Sequence, residues 1–201
     1  MKRSVLALMT LTSILLTSPA FGLFDVELRY GPRWYEEDND GEKKGAAYTG
    51  FTAAGHLGIL PIVSFGLSVS QFNMADRDLG AFDSVTITEI GLDVVAALEF
   101  IPVITPFGRA NFPLSSKGVS KGSGSEAEFN AARIGDMLLS LGIEYSPIPL
   151  FGITFEMGHG VVMQNFEKTT VNGNNVLLGD HAKDADAVTM QTVMLGVNFG
   201  F

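Results

Sequence analysis

The three histidines are the first residues to consider for chemistry, because a neutral imidazole can act as a general base in hydrolysis. None of His56, His159 and His181 has a serine two positions later, so the His-x-Ser pair that some hydrolases carry on one strand is absent. His181 stands beside Asp180 in a polar stretch, which is typical of a solvated loop rather than of a metal site. We therefore predict no catalytic residue and expect the protein not to be an enzyme.

Other familiar sites for metals and cofactors are missing as well. The segment 36–42 (EEDNDGE) is acidic, but the glutamate that would complete an EF-hand calcium loop is replaced by Ala47. The chain has no cysteine, no glycine loop that would cradle a phosphate and no nucleophile elbow. We expect neither a cofactor nor a bound metal.

Charged residues instead recur at every second position between apolar ones. Asp25, Glu27 and Arg29 alternate with apolar neighbours, which places them on one face of a β-strand. Because an isolated buried ion is very costly, such a face needs internal ion pairs if it is enclosed. The predicted lumen charge network consists of Asp25, Glu27, Arg29, Asp93, Glu99, Arg109, Asp136, Glu144 and Glu156.

Eight alternating segments would position these charges. They cover residues of about 24–34, 48–59, 63–72, 85–99, 104–112, 131–145, 150–163 and 187–201. Three connections are short and contain Pro61, Pro102 and Pro149, and proline is suited to a corner between strands. The other four, 36–47, 73–84, 113–130 and 165–186, are long and polar, and we expect 115–126 to be flexible. Val85 breaks the alternation of the fourth strand, which indicates a bulge or an inward-facing pair near Thr88.

Strict alternation of short and long connections predicts an all-β fold, an eight-stranded antiparallel up-and-down barrel. The lysines that follow residue 22 all fall in the long connections, and the non-apolar face is mostly small residues with a few charges. The other face has almost no charge, as lipid contact requires, since a buried Arg or Lys at mid-bilayer costs about 2 to 4 kcal/mol. This favours a transmembrane β-barrel over a soluble barrel of the lipocalin type. The predicted aromatic girdle at the membrane surfaces comprises Trp34, Tyr35, Tyr48, Tyr145 and Phe151.

The start of the chain predicts export. Lys2 and Arg3 precede an apolar run and a small-residue site, so we expect a signal peptide at residues 1–22 and a mature domain at 23–201. The mature chain would carry 11 basic and 22 acidic side chains, because two of the 13 basic residues lie in the signal peptide. The resulting charge of −11 makes nucleic acid an unsuitable partner.

With this signal, these strands and the final residues VMLGVNFGF, the chain resembles the small bacterial outer-membrane barrels, such as the OmpA transmembrane domain, OmpX and OmpW. The resemblance implies an integral outer-membrane location, with both termini and the short turns in the periplasm and the long loops as surface loops. It also implies surroundings of outer-membrane lipids, including lipopolysaccharide, and recognition by the barrel assembly machinery. The residues that match the assembly signal are Val193, Leu195, Val197, Phe199 and Phe201.

Three functions remain open from the sequence. The favoured one is a monomeric, non-enzymatic envelope protein with a charged, largely plugged lumen and surface loops for structure or interaction. The alternative is a narrow, porin-like channel or a carrier for small solutes of the OmpW type, although a charged lumen does not suit apolar solutes. An enzyme that modifies lipid A is the third.

Overall fold

The structure, a computed structural model, describes most of the chain from residue 24 onward. The described ranges are 24–39, 42–60, 62–74, 83–98, 103–122, 125–132, 136–148, 150–162, 165–172, 174–176 and 188–201. The predicted signal peptide, residues 1–22, lies outside them. Within these ranges, no helix is long and apolar enough to cross a membrane.

The described ranges form β-strands that belong to one antiparallel sheet. In chain order they are β1 (Phe24–Asn39), β2 (Glu42–Leu60), β3 (Val63–Met74), β4 (Ser84–Ala97), β5 (Ile104–Gly122), β6 (Ser125–Ala132), β7 (Met137–Ile148), β8 (Phe151–Val162), β9 (Asn165–Val171), β10 (Asn174–Val176) and β11 (Val188–Gly200).

Eight of these strands close into a barrel, in the order β1, β2, β3, β4, β5, β7, β8 and β11. The pairing of β1 with β11 and of β5 with β7 closes the sheet. At the rim, the amide of Phe201 donates a hydrogen bond of 2.8 Å to the carbonyl oxygen of Phe24. The structure confirms the predicted eight-stranded antiparallel barrel.

The two faces of the barrel wall differ in chemistry. Along β1 the polar side chains of Asp25, Glu27 and Arg29 are buried, whereas the apolar residues between them are exposed. The outer face is apolar on every barrel strand, and exposure reaches 76% at Leu141. The inner face combines small residues with charges, which fits the narrow interior of a barrel of this size.

The three proline-containing connections lie at one rim of the barrel. The prolines themselves lie outside the described residues, but Ile62, Val103 and Leu150, which follow them in sequence, are turn residues. Val103 and Leu150 have φ angles of 62° and 68°, in the left-handed region where glycine is usual. β2 and β3, β4 and β5, and β7 and β8 are joined at this rim.

At the opposite rim, the structure differs from the prediction of four long loops. β1 and β2 remain paired as far as Asn39 and Glu42, inside the supposed loop 36–47. β5 continues to Gly122 and pairs with β6, so the supposedly flexible segment 115–126 is mostly strand, and that prediction was wrong. The predicted strand 131–145 is likewise two elements, since β6 ends at Ala132 and β7 begins at Met137. β9 and β10 occupy part of the predicted loop 165–186.

Together, residues 115–122 of β5 with β6, β9 and β10 form a polar sheet beyond the barrel, called here the sheet extension. Its strands are held by backbone hydrogen bonds and need no apolar face, so their sequence resembles that of a loop. Lys117 and Glu128 form an exposed salt bridge of 3.0 Å across two of these strands.

Of the two alternatives predicted near Thr88, the inward-facing residues are found on β4, whereas a bulge lies on the neighbouring strand. β4 keeps an unbroken register with β3, and Val85 simply faces inward. Between β4 and β5, Ile90 pairs with Ser115 and Gly91 with Pro113, so the residue between them on β5 is extra and forms a bulge. The bulge exchanges the inward and outward positions of β5 just where the sheet extension begins.

Candidate functional site

The candidate site is a group of ion pairs that crosses the middle of the lumen. Five buried side chains form it and are named here the central ion cluster: Glu27, Arg29, Asp93, Arg109 and Glu156. They come from β1, β4, β5 and β8, and each is 4% exposed or less. Inward alternation of the strands brings them to one level of the barrel.

Arg109 links opposite sides of the barrel wall. Its strand, β5, stands opposite β1 in the eight-stranded order, yet Nη2 donates to Glu27 Oε2 at 2.6 Å. Its Nη1 donates to Asp93 Oδ2 at 3.0 Å, and its Nε donates to Glu156 Oε2 at 2.9 Å. All three nitrogens of one guanidinium are therefore engaged by carboxylates from three different strands.

Arg29 shares the same carboxylates from the other side. Nη2 donates to Asp93 Oδ2 at 3.0 Å, and Nη1 lies 3.3 Å from Glu156 Oε1. Glu27 Oε2 is 3.5 Å from Arg29 Nε. Because each buried carboxylate meets both guanidiniums, the attraction offsets the large cost of removing these ions from water.

Residues around the central ion cluster complete its hydrogen bonds. His56 on β2 places Nδ1 2.8 Å from Asp25 Oδ1 and Nε2 3.3 Å from Asp93 Oδ2. Asn111 Nδ2 donates to Asp93 Oδ1 at 2.5 Å, and Ser68 Oγ donates to the same oxygen at 3.3 Å. Both ring nitrogens of this buried histidine are thus occupied.

A second layer fills the lumen between the central ion cluster and the sheet extension. Arg33 forms a salt bridge with Glu89, and its guanidinium lies 3.9 Å from the centre of the Phe72 ring. Arg33 Nη1 also donates to the Tyr35 hydroxyl at 3.2 Å. Tyr35 in turn packs against a buried apolar group made of Leu138, Val188 and Met190.

The lumen on the turn side of the cluster is also filled. Val95, Ala97 and Phe107 form a buried apolar group there. Glu144 accepts hydrogen bonds from Ser146 Oγ at 2.5 Å and from Asn198 Nδ2 at 3.2 Å. A cavity between these groups and Arg109 has a volume of about 10 Å³, which is room for one water molecule at most.

The structure brings together six residues of the predicted lumen charge network: Asp25, Glu27, Arg29, Asp93, Arg109 and Glu156. Glu144 is buried nearer the turns, and Asp136 is buried just before β7. Glu99 lies outside the described residues. The sequence prediction omitted His56, Arg33 and Glu89, although alternation along their strands places each of them inward.

The predicted aromatic girdle divides between the two faces. Trp34 and Tyr145 are exposed on the outer face, and Phe151 contacts Phe199 with ring centres 5.4 Å apart. Tyr35 and Tyr48 occupy inward positions of their strands and contact each other edge to face, with ring centres 5.3 Å apart. Tyr35 belongs to the lumen filling because it follows Arg33 by two positions.

The residues predicted as the assembly signal lie along β11 and at the chain end. Leu195, Phe199 and Phe201 are exposed on the outer face, and Val193 and Val197 are half-buried between them. Each alternates with an inward residue, as the sequence indicates. Their role in assembly remains a prediction.

His159 and His181 are the other two histidines of the chain. His159 faces outward on β8, and His181 lies outside the described residues. Among the residues that the structure describes, no group of three or more His, Cys, Asp or Glu side chains is arranged to hold a metal ion.

Comparison with known proteins supports the fold. No protein-family model and no curated relative matches the chain. The structure is similar to that of Neisserial surface protein A, with a TM-score of 0.63 and 13% identity over 89% of this chain and 97% of that one. Ail of Yersinia pestis gives a TM-score of 0.46 and 13% identity, covering 87% of this chain and 97% of its own. The N-terminal barrel of Pseudomonas aeruginosa OprF gives a TM-score of 0.45 and 14% identity, covering 87% of this chain and 97% of its own. The similarity to Neisserial surface protein A and the closed eight-stranded sheet show that this chain has the fold of the small outer-membrane barrels, as the resemblance in its sequence indicated.

Proposed function

We propose that this protein is a monomeric, integral barrel of the bacterial outer membrane with a non-enzymatic role in envelope structure and surface interaction. The barrel serves as a membrane anchor with a closed lumen, and the sheet extension presents polar surface outside the cell. Both chain ends and the three tight turns face the periplasm. The barrel assembly machinery inserts the chain, and lipids including lipopolysaccharide surround it.

The outer face supports the membrane location. Large apolar side chains such as Leu28, Leu141 and Leu195 are at least half exposed, and exposure of so much apolar surface to water would be strongly unfavourable. In a bilayer the same side chains meet acyl chains, and the closed barrel pairs the backbone groups that lipid could not satisfy. The closed sheet also leaves no barrel edge for a second copy to extend, which supports a monomer.

The main support for a closed lumen is the hydrogen bond that Arg109 donates to Glu27, because these residues lie on opposite strands of the barrel. The layers above and below it contain Phe72 and Phe107 among their buried side chains. An ion that crossed the lumen would have to separate paired buried charges, which is costly in a medium of low dielectric constant. The barrel is therefore an anchor rather than a pore.

The non-enzymatic role is supported by the state of the polar groups. A general base must reach the proton of its substrate, but His56 is 2% exposed and both of its nitrogens meet carboxylates. The carboxylates of the central ion cluster form salt bridges with guanidinium groups and are therefore not free to accept a proton from a substrate.

Conductance in planar lipid bilayers tests the closed lumen. Purified, folded protein is expected to produce no discrete current steps above the baseline given by detergent alone. Protein from the same preparation that was unfolded by heat provides the matched control. Steps that occur with folded protein and vanish with the heated sample would contradict the closed lumen and favour a channel for small solutes.

A further inference from the structure

A small cavity on the turn side of the central ion cluster is lined mainly by oxygen-bearing side chains. Its volume is about 10 Å³, which suits one occupant of the size of a water molecule. The oxygen-bearing residues that line it are Asp25, Glu27, Glu144, Thr154 and Asn198. His56 and Arg109 complete its polar wall.

Two oxygen atoms of this lining lack a hydrogen-bond partner. They are Asp25 Oδ2 and Asn198 Oδ1, and their residues are 1% and 5% exposed. The amide nitrogen of Asn198 donates to Glu144 Oε2 at 3.2 Å, which fixes the amide oxygen as the free atom. A buried acceptor without a partner costs the desolvation of that group, so both oxygens require a donor or a cation.

The charge around the cavity is also unbalanced. Glu144 is 3% exposed, and its described partners, Ser146 Oγ and Asn198 Nδ2, are both neutral donors. Together with the central ion cluster, the carboxylates of Asp25 and Glu144 give five negative charges against the two guanidiniums. The formal sum is −3, or −2 if His56 carries a proton. A buried excess of this kind is costly unless a cation or a proton on one of the carboxyl groups offsets it.

We propose that this cavity binds one monovalent cation of the size of sodium. Asp25 Oδ2 and Asn198 Oδ1 are its ligands, and Glu144 supplies nearby negative charge. Carboxylate and amide oxygens are suitable ligands for hard cations. The small volume excludes large organic cations.

Thermal stability in different salts tests this site and is independent of whether the lumen conducts. Folded protein in detergent is heated in sodium chloride or in N-methylglucamine chloride at equal ionic strength, and the loss of the compact form is followed on gels. Sodium is expected to raise the midpoint by a few degrees, because a ligand that binds only the folded state stabilises it. Equal midpoints in the two salts would overturn the proposal and assign the cavity to water.

Two variants distinguish sodium binding at this cavity from general effects of salt on stability. Glu144→Gln keeps the shape of the side chain but removes its charge, and the difference between sodium and N-methylglucamine should disappear. Glu89→Gln is the matched control, because it removes a buried lumen carboxylate that pairs with Arg33 and does not line the cavity. It should retain the sodium difference at a lower midpoint. An undiminished sodium effect in Glu144→Gln would overturn the proposal.

Discussion

Replacement of Arg109 by methionine is expected to destabilise the folded barrel by about 3–5 kcal/mol, the usual cost of removing one partner from a buried ion pair. Methionine keeps an unbranched side chain of moderate length but removes every donor. Glu27, Asp93 and Glu156 would each lose a hydrogen bond from this guanidinium. Arg29 alone would then face all three carboxylates.

Arg109→Lys should give an intermediate loss. Lysine keeps the positive charge, but its single nitrogen cannot reproduce the three directions in which the guanidinium donates. The free energy of unfolding is measured by urea titration of the refolded protein in detergent micelles, with circular dichroism as the signal.

The matched control for Arg109 is Lys117→Met, which removes the basic partner of the exposed salt bridge to Glu128. An exposed pair contributes about 0 to 1 kcal/mol, so this variant should be close to the wild type. Similar losses in Lys117→Met and Arg109→Met would contradict the conclusion that Arg109 offsets the cost of burying three carboxylates.

Replacement of Gly50 by alanine is expected to prevent most of the protein from folding, with a loss of about 3 kcal/mol or more. Gly50 faces inward on β2, opposite Phe72 of β3. A methyl group there would overlap the carbonyl oxygen of Gln71 and stand 2.6 Å from the Cα atom of Phe72. Since the obstacle is backbone, only a shift of β3 could relieve the overlap.

Gly55→Ala on the same strand is the matched control. The atom nearest to its added methyl group would be a ring carbon of Phe24 at 3.6 Å, an ordinary van der Waals distance. The yield of refolded protein is measured by the shift in gel mobility between heated and unheated samples. Equal yields for Gly50→Ala and Gly55→Ala would contradict the close approach of β2 and β3.

The barrel could be predicted from the sequence because lipid constrains both faces of every spanning strand. In β3, for example, Phe65, Leu67 and Val69 must face acyl chains while Gly66 and Ser68 between them face a narrow interior. This requirement alternates apolar residues with small residues that are mostly uncharged, whereas a strand facing water would carry more lysine and glutamate. The positions of the short connections could also be predicted, because proline cannot donate a backbone hydrogen bond and therefore marks the point where strand pairing stops.

The strands outside the barrel could not be recognised in the same way. Residues 115–122 consist mostly of Ser, Gly and Lys, so no apolar face marks them as a strand, although Ser116 is buried in the structure. The bulge on β5 also exchanges inward and outward positions near Pro113. The alternation read before the bulge therefore could not be continued beyond it.

The central ion cluster was predicted as a set of inward residues but not as a set of partners. Alternation assigns Glu27 and Arg109 to one face, but their contact depends on β5 standing opposite β1. The strand order follows from the sequence, whereas the relative height of the two residues depends on the stagger of the strands. His56 was omitted because a single histidine on a strand of small residues does not indicate which carboxylates it will meet.

The central claim is that the apolar outer face contacts lipid, and spin labels can test it most directly. The chain has no cysteine, so single cysteines at Leu28, Leu141 and Leu195 can each be labelled alone, with Lys117 as a water-exposed control. In lipid vesicles, the first three labels should collide more often with molecular oxygen than with a water-soluble nickel chelate, and the label at Lys117 should show the reverse. Greater collision with the nickel chelate at Leu28, Leu141 and Leu195 would contradict the account.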